Sequence, residues 1–422
     1  MPGAVPSLPT LPARSSSSEE RIESVDVVRG FAVFGILAAN ILAFALVPDL
    51  RWWTDLPNRL AERFVETFIA SKFIILFSTL FGLSFALQML REESRGGPFV
   101  RLFIRRQVLL LAIGLVHALA LSAEDILVFY AVMGVALLPF RHSRPRTILS
   151  WAVALYLLSF VSVEVGVIRT LPENQAPTAS SADTGAGDDM TLVARTYRYG
   201  TFSEIAARRV RDYVAHNPAV TPLEYPRKFA FFLVGLFIAR CGILHELQAY
   251  RRVMLRLAVV ALGVGSSGVV LLFLCHLATA PAWARVFTVP LYAVTNPALS
   301  LFYATAVVLL FGRPRSRRWL YPLCMVGRMA LTNYVAQSIV CTYLFYGYGL
   351  RLYGRLGPLT LLGISVLIFA AQIGMSAVWQ ARFRLGPIEW LWRSATRGVL
   401  VPMRLSSSAV SRPASPASPD GP

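Results

Sequence analysis

Charge is scarce in this chain, and most of what it has carries one sign. Asp, Glu, Lys and Arg make up 15% of 422 residues, while 55% are hydrophobic and the mean hydropathy is +0.57. A soluble protein of this length needs more charge on its surface, so the composition excludes one and assigns the chain to a bilayer. Lysine is nearly missing: only Lys72 and Lys228 occur, and arginine supplies the remaining basic character. The formal charge of +18 does not point to nucleic acid, because the arginines fall in short clusters between apolar runs and form no stripe on a soluble domain. Cysteine is equally sparse. Cys241, Cys275, Cys324 and Cys341 lie in or beside apolar segments without metal-ligand spacing, so neither a disulfide framework nor a metal site is expected. No Walker motif, Rossmann glycine fingerprint, HExxH or GxSxG occurs, which removes the usual sequence support for ATP-driven transport, nicotinamide chemistry and serine hydrolysis. Residues 1–20 have no continuous apolar core and are rich in Pro and Ser; they read as a disordered tail, as do residues 399–422.

Long hydrophobic runs, by contrast, are plentiful. They fall near residues 27–47, 67–90, 107–121, 126–140, 148–168, 228–244, 254–277, 286–311, 321–346 and 359–380. The expected fold is therefore an all-α polytopic integral membrane protein with about ten transmembrane helices. Arg-rich loops at 91–106, 141–146, 251–256 and 313–318 share one side under that count, together with both tails. Positive residues mark the cytosol, so both termini are expected there. Residues 169–227 form a long extracytoplasmic loop between a membrane half at 21–168 and another at 228–398. Within that loop, "TFSEIAARRVRDYV" opens with a capping-box pattern and continues with helical apolar spacing, as an interfacial helix does.

Polar groups inside apolar helices are the candidate functional residues. Arg29 and Asn40 are eleven residues apart on one helix face, and Asp26 lies one turn before Arg29. Arg106 and His117 repeat that spacing, which gives His117 and Asn40 a similar expected depth. A neutral His117 can serve as a general base, its tautomer fixed by a nearby carboxylate, or it is a buried histidine that simply satisfies a neighbouring helix. Asp125 either orients or solvates a substrate or belongs only to a polar hairpin turn. Lys72 is either a positioned ammonium in a substrate cavity or a snorkelling residue. Arg328 opens "GRMALTNYVAQS", where Asn333 and Gln337 are one turn apart and either line the cavity or bond across helices. In "GPIEWLWRSATRG", Glu389 and Arg393 are expected to pair at i,i+4 on an interfacial helix at the cytosolic mouth.

The stretches "DVVRGFAVFGILAAN", "SKFIILFSTLFGLSFALQM", "GLVHALALSAEDILVFYAVMG", "FFLVGLFIARCGIL", "GRMALTNYVAQS" and "GPIEWLWR" together resemble the YeiB-like bacterial membrane proteins, also called domain-of-unknown-function family 418. That resemblance implies a multi-pass protein of the bacterial cytoplasmic membrane. More distantly, the D-x-x-R-G opening with Asn40 resembles heparan-alpha-glucosaminide N-acetyltransferase-type membrane acyltransferases. A related branch places a catalytic histidine where this chain has Asn40. The likeness implies transfer from cytosolic acyl-CoA, acetyl-CoA included, to a hydroxyl or amine of a small-molecule, glycan or lipid acceptor. On this reading Asp26, Arg29, Arg106 and Arg328 receive the donor, His117 is the base, Asn40 donates to the oxyanion and Asp125 orients. The competing reading is a small-molecule or lipid transporter or flippase, proton-coupled through His117 and Asp125; a third is a scaffold in which Asp26 and Arg29 neutralise each other. The other expectations are membrane lipid as surroundings, no nucleic acid partner, no metal, and an assembly state open between monomer and homodimer.

Overall fold

The computed structural model describes residues 16–47, 53–122, 125–169, 186–216, 224–243, 249–275 and 287–404. α1 (Ser16–Ala45) is followed by α2 (Leu56–Phe64), a π turn at Val65–Ile69 and α3 (Lys72–Glu93). α4 (Phe99–Ala120), α5 (Leu127–Val135) and α6 (Pro145–Arg169) come next, with a 3-10 turn at Leu138–His142 before α6. α7 (Ala186–Tyr199) and α8 (Phe202–His216) precede α9 (Glu224–Arg240), α10 (Arg251–Cys275) and α11 (Thr288–Phe311). The chain ends in α12 (Pro314–Arg328), α13 (Ala330–Phe345), α14 (Pro358–Gln380) and α15 (Pro387–Arg397). The expected tails and the Gly-rich part of the 169–227 loop fall mostly outside the described residues, although α1 already begins at Ser16.

The fold is all-α, with several long apolar helices that suit a multi-pass membrane protein. Among the described residues five helices are long and apolar enough to cross by themselves: Glu23–Ala45, Leu56–Glu93, Arg251–Cys275, Thr288–Phe311 and Pro358–Gln380. The expected ten are not reached, for physical reasons. α5 has nine residues and gives way to a 3-10 turn, so the run at 126–140 is only about 13 Å of α-helix. The run at 321–346 is divided: α12 stops at Arg328, Met329 leaves helical geometry with ψ of 32°, and α13 restarts at Ala330. α9 and α13, at 17 and 16 residues, are short for a span.

α1 is central. One stripe of it, with Val27, Val28 and Ala32, packs into the core around α3, α5 and α9. Another, with Val33, Leu37 and Ile41, packs against α13, α14 and α7. Its crossing with α12 is a backbone contact, because a Cβ at Gly30 would lie 1.9 Å from the Leu323 carbonyl oxygen and one at Gly327 would lie 1.9 Å from that of Asp26. Only glycine permits this approach, which sets Asp26 and Arg29 beside Arg328. α10 and α11 stand at the edge. Val259, Val260 and Phe273 of α10 remain more than 60% exposed, an apolar face fitted to lipid.

α8 starts with the expected capping box. Glu204 Oε2 accepts from the Thr201 backbone N–H at 2.7 Å, and the Glu204 N–H donates to Thr201 Oγ1 at 3.4 Å. This helix turns Ile205 and Arg209 fully into the protein and packs on the C-terminal end of α4.

Candidate active site

A cavity of about 360 Å³ runs into the bundle from the end where α1 and α4 begin. Arg29, Arg91, Arg106, Arg328 and Arg393 stand in its wall against two carboxylates, Asp26 and Glu389. An adjoining hollow of about 260 Å³ shares all five arginines and adds Arg397. The excess of cations at a mouth with apolar walls focuses a positive potential there. Part of it is neutralised locally. Arg29 Nη1 lies 2.6 Å from Asp26 Oδ1, as the one-turn spacing suggests, and its Nη2 donates to Ser84 Oγ at 3.0 Å. Arg328 shares its charge between Glu23, at 3.3 Å, and Asp26, at 3.6 Å. Arg106 instead lies over the Trp392 ring, 3.9 Å from its centroid.

Glu389 does not pair with Arg393 as its spacing led us to expect. Its carboxylate turns inward to the break before α13: Oε1 accepts from the N–H groups of Leu331 at 2.7 Å and Thr332 at 3.0 Å, and Oε2 accepts from Thr332 Oγ1. A restarted helix leaves N–H groups without partners and its dipole favours an anion, so the i,i+4 attraction is outcompeted. Burial pushes the Glu389 carboxyl above its ordinary range, with the hydrogen bonds from Thr332 and Leu331 opposing that shift. Arg393 is pushed down by burial and by the nearby Arg397, Arg91 and Arg95. It makes no ion pair among the described residues and faces the cavity.

Deeper in, the walls become apolar and aromatic, with Phe77, Phe81, Phe85 and Leu110. Tyr130 is tied to Ser78 at 3.0 Å between hydroxyl oxygens. One polar group is left over: Gln107, 2% exposed, has neither its Oε1 nor its Nε2 hydrogen-bonded. A buried amide without partners is costly, and here it faces a cavity that can hold one.

The cavity reaches Tyr334, whose ring lies 4.9 Å from that of His117. Behind it three elements meet. His117, near the end of α4, has Nδ1 2.7 Å from Asp125 Oδ1 and Nε2 2.8 Å from Ser338 Oγ of α13. The Nδ1 contact is at ion-pair distance but off hydrogen-bond alignment; such bonds commonly tighten only when substrate is in place. Asp125 is itself fixed, because Oδ2 accepts from the Val128 N–H at 2.7 Å and caps the start of α5. The side chains of His117 and Asp125 are at most 1% exposed. The order of groups, carboxylate, imidazole and hydroxyl, follows that of a Ser-His-Asp triad, with the carboxylate–imidazole hydrogen bond not yet formed.

The other expected site residues lie elsewhere. Asn40 is half-buried on α1, is absent from the cavity wall and makes no hydrogen bond among the described residues. Lys72, buried, donates to the Glu66 carbonyl at 3.1 Å and so closes the π turn. Asn333 donates to Ser376 at 3.1 Å, Gln337 to Gln372 at 2.8 Å, and Gln372 back to the Asn333 carbonyl at 2.8 Å, a network that joins α13 to α14. The sequence placed Ser338 only among the polar groups of its helix and gave no role to Gln107 or Arg209. The last is 1% exposed and donates to the Leu119 carbonyl at 3.1 Å, two residues beyond His117, with Nε and Nη2 left unpartnered. Arg209 lies one turn after Ile205 on the buried face of α8, but among Arg208, Arg209 and Arg211 nothing in the sequence marks it as the one that turns inward.

A family profile described as "Protein of unknown function (DUF418)" matches residues 238–399. Over 409 residues the chain is 36% identical to the uncharacterized protein YxaH of Bacillus subtilis (strain 168), covering 90% of this chain and 95% of that one. It is 29% identical over 406 residues to the uncharacterized protein YeiB of Escherichia coli (strain K12), covering 93% and 99%. An uncharacterized 39.9 kDa protein of Bacillus acidopullulyticus, encoded in the amylase 3′ region, is also 29% identical, over 404 residues, covering 93% and 98%. These descriptions name no reaction, and the likeness to acyltransferases remains a proposal. Similarity along nearly the whole of all three relatives gives the assignment: the chain belongs to the DUF418 family of YeiB-like bacterial proteins.

Proposed function

We propose that this protein is a membrane acyltransferase of the bacterial cytoplasmic membrane. It takes an acyl group from cytosolic acyl-CoA and delivers it to a hydroxyl or amine reached from the other side. In this reading the arginine-lined end faces the cytosol with both termini, and the shorter helices complete the crossings begun by the five long ones. The observation that carries the reading is the sequence of environments along one path: five arginines at the mouth, an apolar cavity holding an unpaired amide, then a His-Asp pair behind Tyr334.

The residues fit such a donor. Guanidinium groups at Arg29, Arg106, Arg328 and Arg393 suit phosphate oxygens, and the apolar walls with Gln107 suit an amide-bearing thiol arm. When bound, acyl-CoA supplies an activated acyl carbon. His117 accepts the proton that nucleophilic attack releases, and Asp125 holds its ring and stabilises the imidazolium. Tyr334 shields that pair from water in the mouth. Asn40 is absent from the cavity wall, and Gln107, about 15 Å before His117 along α4, is placed to meet the thiol arm and not the acyl carbonyl.

The test is transfer from labelled acetyl-CoA in proteoliposomes, with donor binding measured on the same preparations. The wild type is expected to bind and consume acetyl-CoA, and His117→Gln to bind without transfer. A wild type that neither binds nor consumes any acyl-CoA, yet moves a solute that His117→Gln cannot, replaces this reading with transport.

A further inference from the structure

We infer that Ser338 is the nucleophile of this site, and that the acyl group passes through a covalent ester on its Oγ. The inference rests on the acyl-transfer reading and names the step within it. It starts from the position of His117. With the Asp125 carboxylate 2.7 Å from Nδ1, the reactive tautomer is the one that carries its proton on that side and leaves the lone pair on Nε2 to accept another. That lone pair is already committed: Ser338 Oγ sits on it at 2.8 Å. Any acceptor that used His117 directly would first have to displace a buried hydroxyl from its best partner. The proton His117 meets first belongs to Ser338.

The placement of Ser338 also resolves an access problem. It is buried just outside the cavity wall, one helical turn beyond Tyr334, the last residue of α13 in that wall; its hydroxyl has the Tyr334 carbonyl as a second, longer acceptor at 3.4 Å, against 2.8 Å to His117. A donor entering past the arginines approaches it from one end of the bundle once the Tyr334 ring turns aside. The ends of α4 and α5 and the face covered by α8 border the same triad from the opposite end. Donor and acceptor need not then occupy one narrow site together, because the acyl group can wait on the protein while one leaves and the other arrives. Two separate half-reactions follow.

In the first, Oγ bonds to the acyl carbon as its proton passes to His117 Nε2. The carbon–sulfur bond breaks, and the sulfur takes that proton and departs as the free thiol. In the second, the acceptor's oxygen or nitrogen bonds to the acyl carbon as its proton passes to Nε2. The carbon–Oγ bond breaks, and Oγ recovers the proton. No oxidant, reductant or further reactant is required.

The test uses the full-length chain, purified in detergent and given labelled acetyl-CoA without acceptor, then denatured and digested. Label is expected on the peptide containing Ser338 and is expected to be lost in Ser338→Ala. Acetyl transfer in Ser338→Ala is expected to fall by about a thousandfold, with donor affinity unchanged. Ser338→Cys supplies a second readout, since its label becomes a thioester cleaved by neutral hydroxylamine. Wild-type transfer in Ser338→Ala overturns the nucleophile and leaves the acyltransferase standing. If the wild type consumes no acyl-CoA, the parent reading fails, and a small fluorophosphonate decides the serine by itself. Ser338-specific labelling that vanishes in His117→Ala supports an activated nucleophile, and absence of labelling overturns it.

Discussion

Arg106 and Trp392 hold each other in two ways. The guanidinium lies 3.9 Å from the centre of the indole ring, while the indole N–H donates to the Arg106 carbonyl at 2.9 Å. The contact docks α15 against α4 and gives a cavity arginine a fixed plane without neutralising it. Trp392→Leu keeps apolar bulk and removes both interactions. Acetyl-CoA affinity, read by isothermal titration on the solubilised protein, is expected to weaken by about tenfold. Unchanged affinity would detach Arg106 from donor binding.

Glu389 predicts a pH dependence. Its carboxyl is raised above the ordinary value of 4.5 by burial, so the folded protein holds that proton more tightly than the unfolded chain does. The stabilisation is complete below that value and is lost as the pH rises through the folded one. Glu389→Gln keeps an acceptor for the Leu331 and Thr332 N–H groups and has no charge to bury. Thermal unfolding in detergent should therefore show the variant gaining on the wild type as the pH rises from about 4.5 towards neutrality. A gap that does not move with pH would count against a buried, titrating Glu389.

Gly327→Ala inserts a methyl 1.9 Å from the Asp26 carbonyl oxygen, at the point where α1 and α12 touch. The helices must separate, and a loss of more than about 3 kcal/mol is expected. The measurement is the monodisperse yield and melting temperature of the purified variant, with Gly363→Ala as the control, since nothing lies within 4 Å of a Cβ there.

Asp26 and Arg29 are expected to be coupled. Their 2.6 Å contact is partly buried, and Asp26 also faces Arg328. A double-mutant cycle with Asp26→Ala and Arg29→Ala, read by melting in detergent, should give a coupling of about 1–2 kcal/mol. Additive effects would mean the pair contributes nothing beyond each charge alone.

Orientation is checked with single cysteines in a cysteine-free background. Ser203→Cys, at the start of α8, and Arg315→Cys, at the start of α12, are both exposed positions. The first should react with an impermeant maleimide in intact cells and the second only after permeabilisation; the reverse pattern inverts the proposed topology.

Local relationships were readable from the chain. Asp26 and Arg29 are three residues apart on one helix, so spacing alone brought that pair together; His117 and Asp125, eight residues apart, were each singled out but not joined. Ser338 reaches His117 across 221 residues, and no local pattern announces that. The division at Met329 was hidden for a related reason. The apolar run passes through it without interruption, and what stabilises the break is a carboxylate almost sixty residues further on. The bond from Lys72 to the Glu66 carbonyl was hidden likewise, because it depends on a π turn followed by Ser71 at a φ of 66°. Hydropathy reports how much of a segment avoids water and is blind to where the chain bends within it.

The capped break before α13 also sets an order of events during synthesis. Leu331 and Thr332 leave the ribosome well before Glu389, so their N–H groups must wait for a partner that does not yet exist. A nascent chain halted after α14 already holds all five helices that, among the described residues, are long enough to cross alone, but it lacks Glu389, Trp392 and Arg393. Insertion and completion of the mouth are thus separate moments, and the second waits for the last helix to emerge.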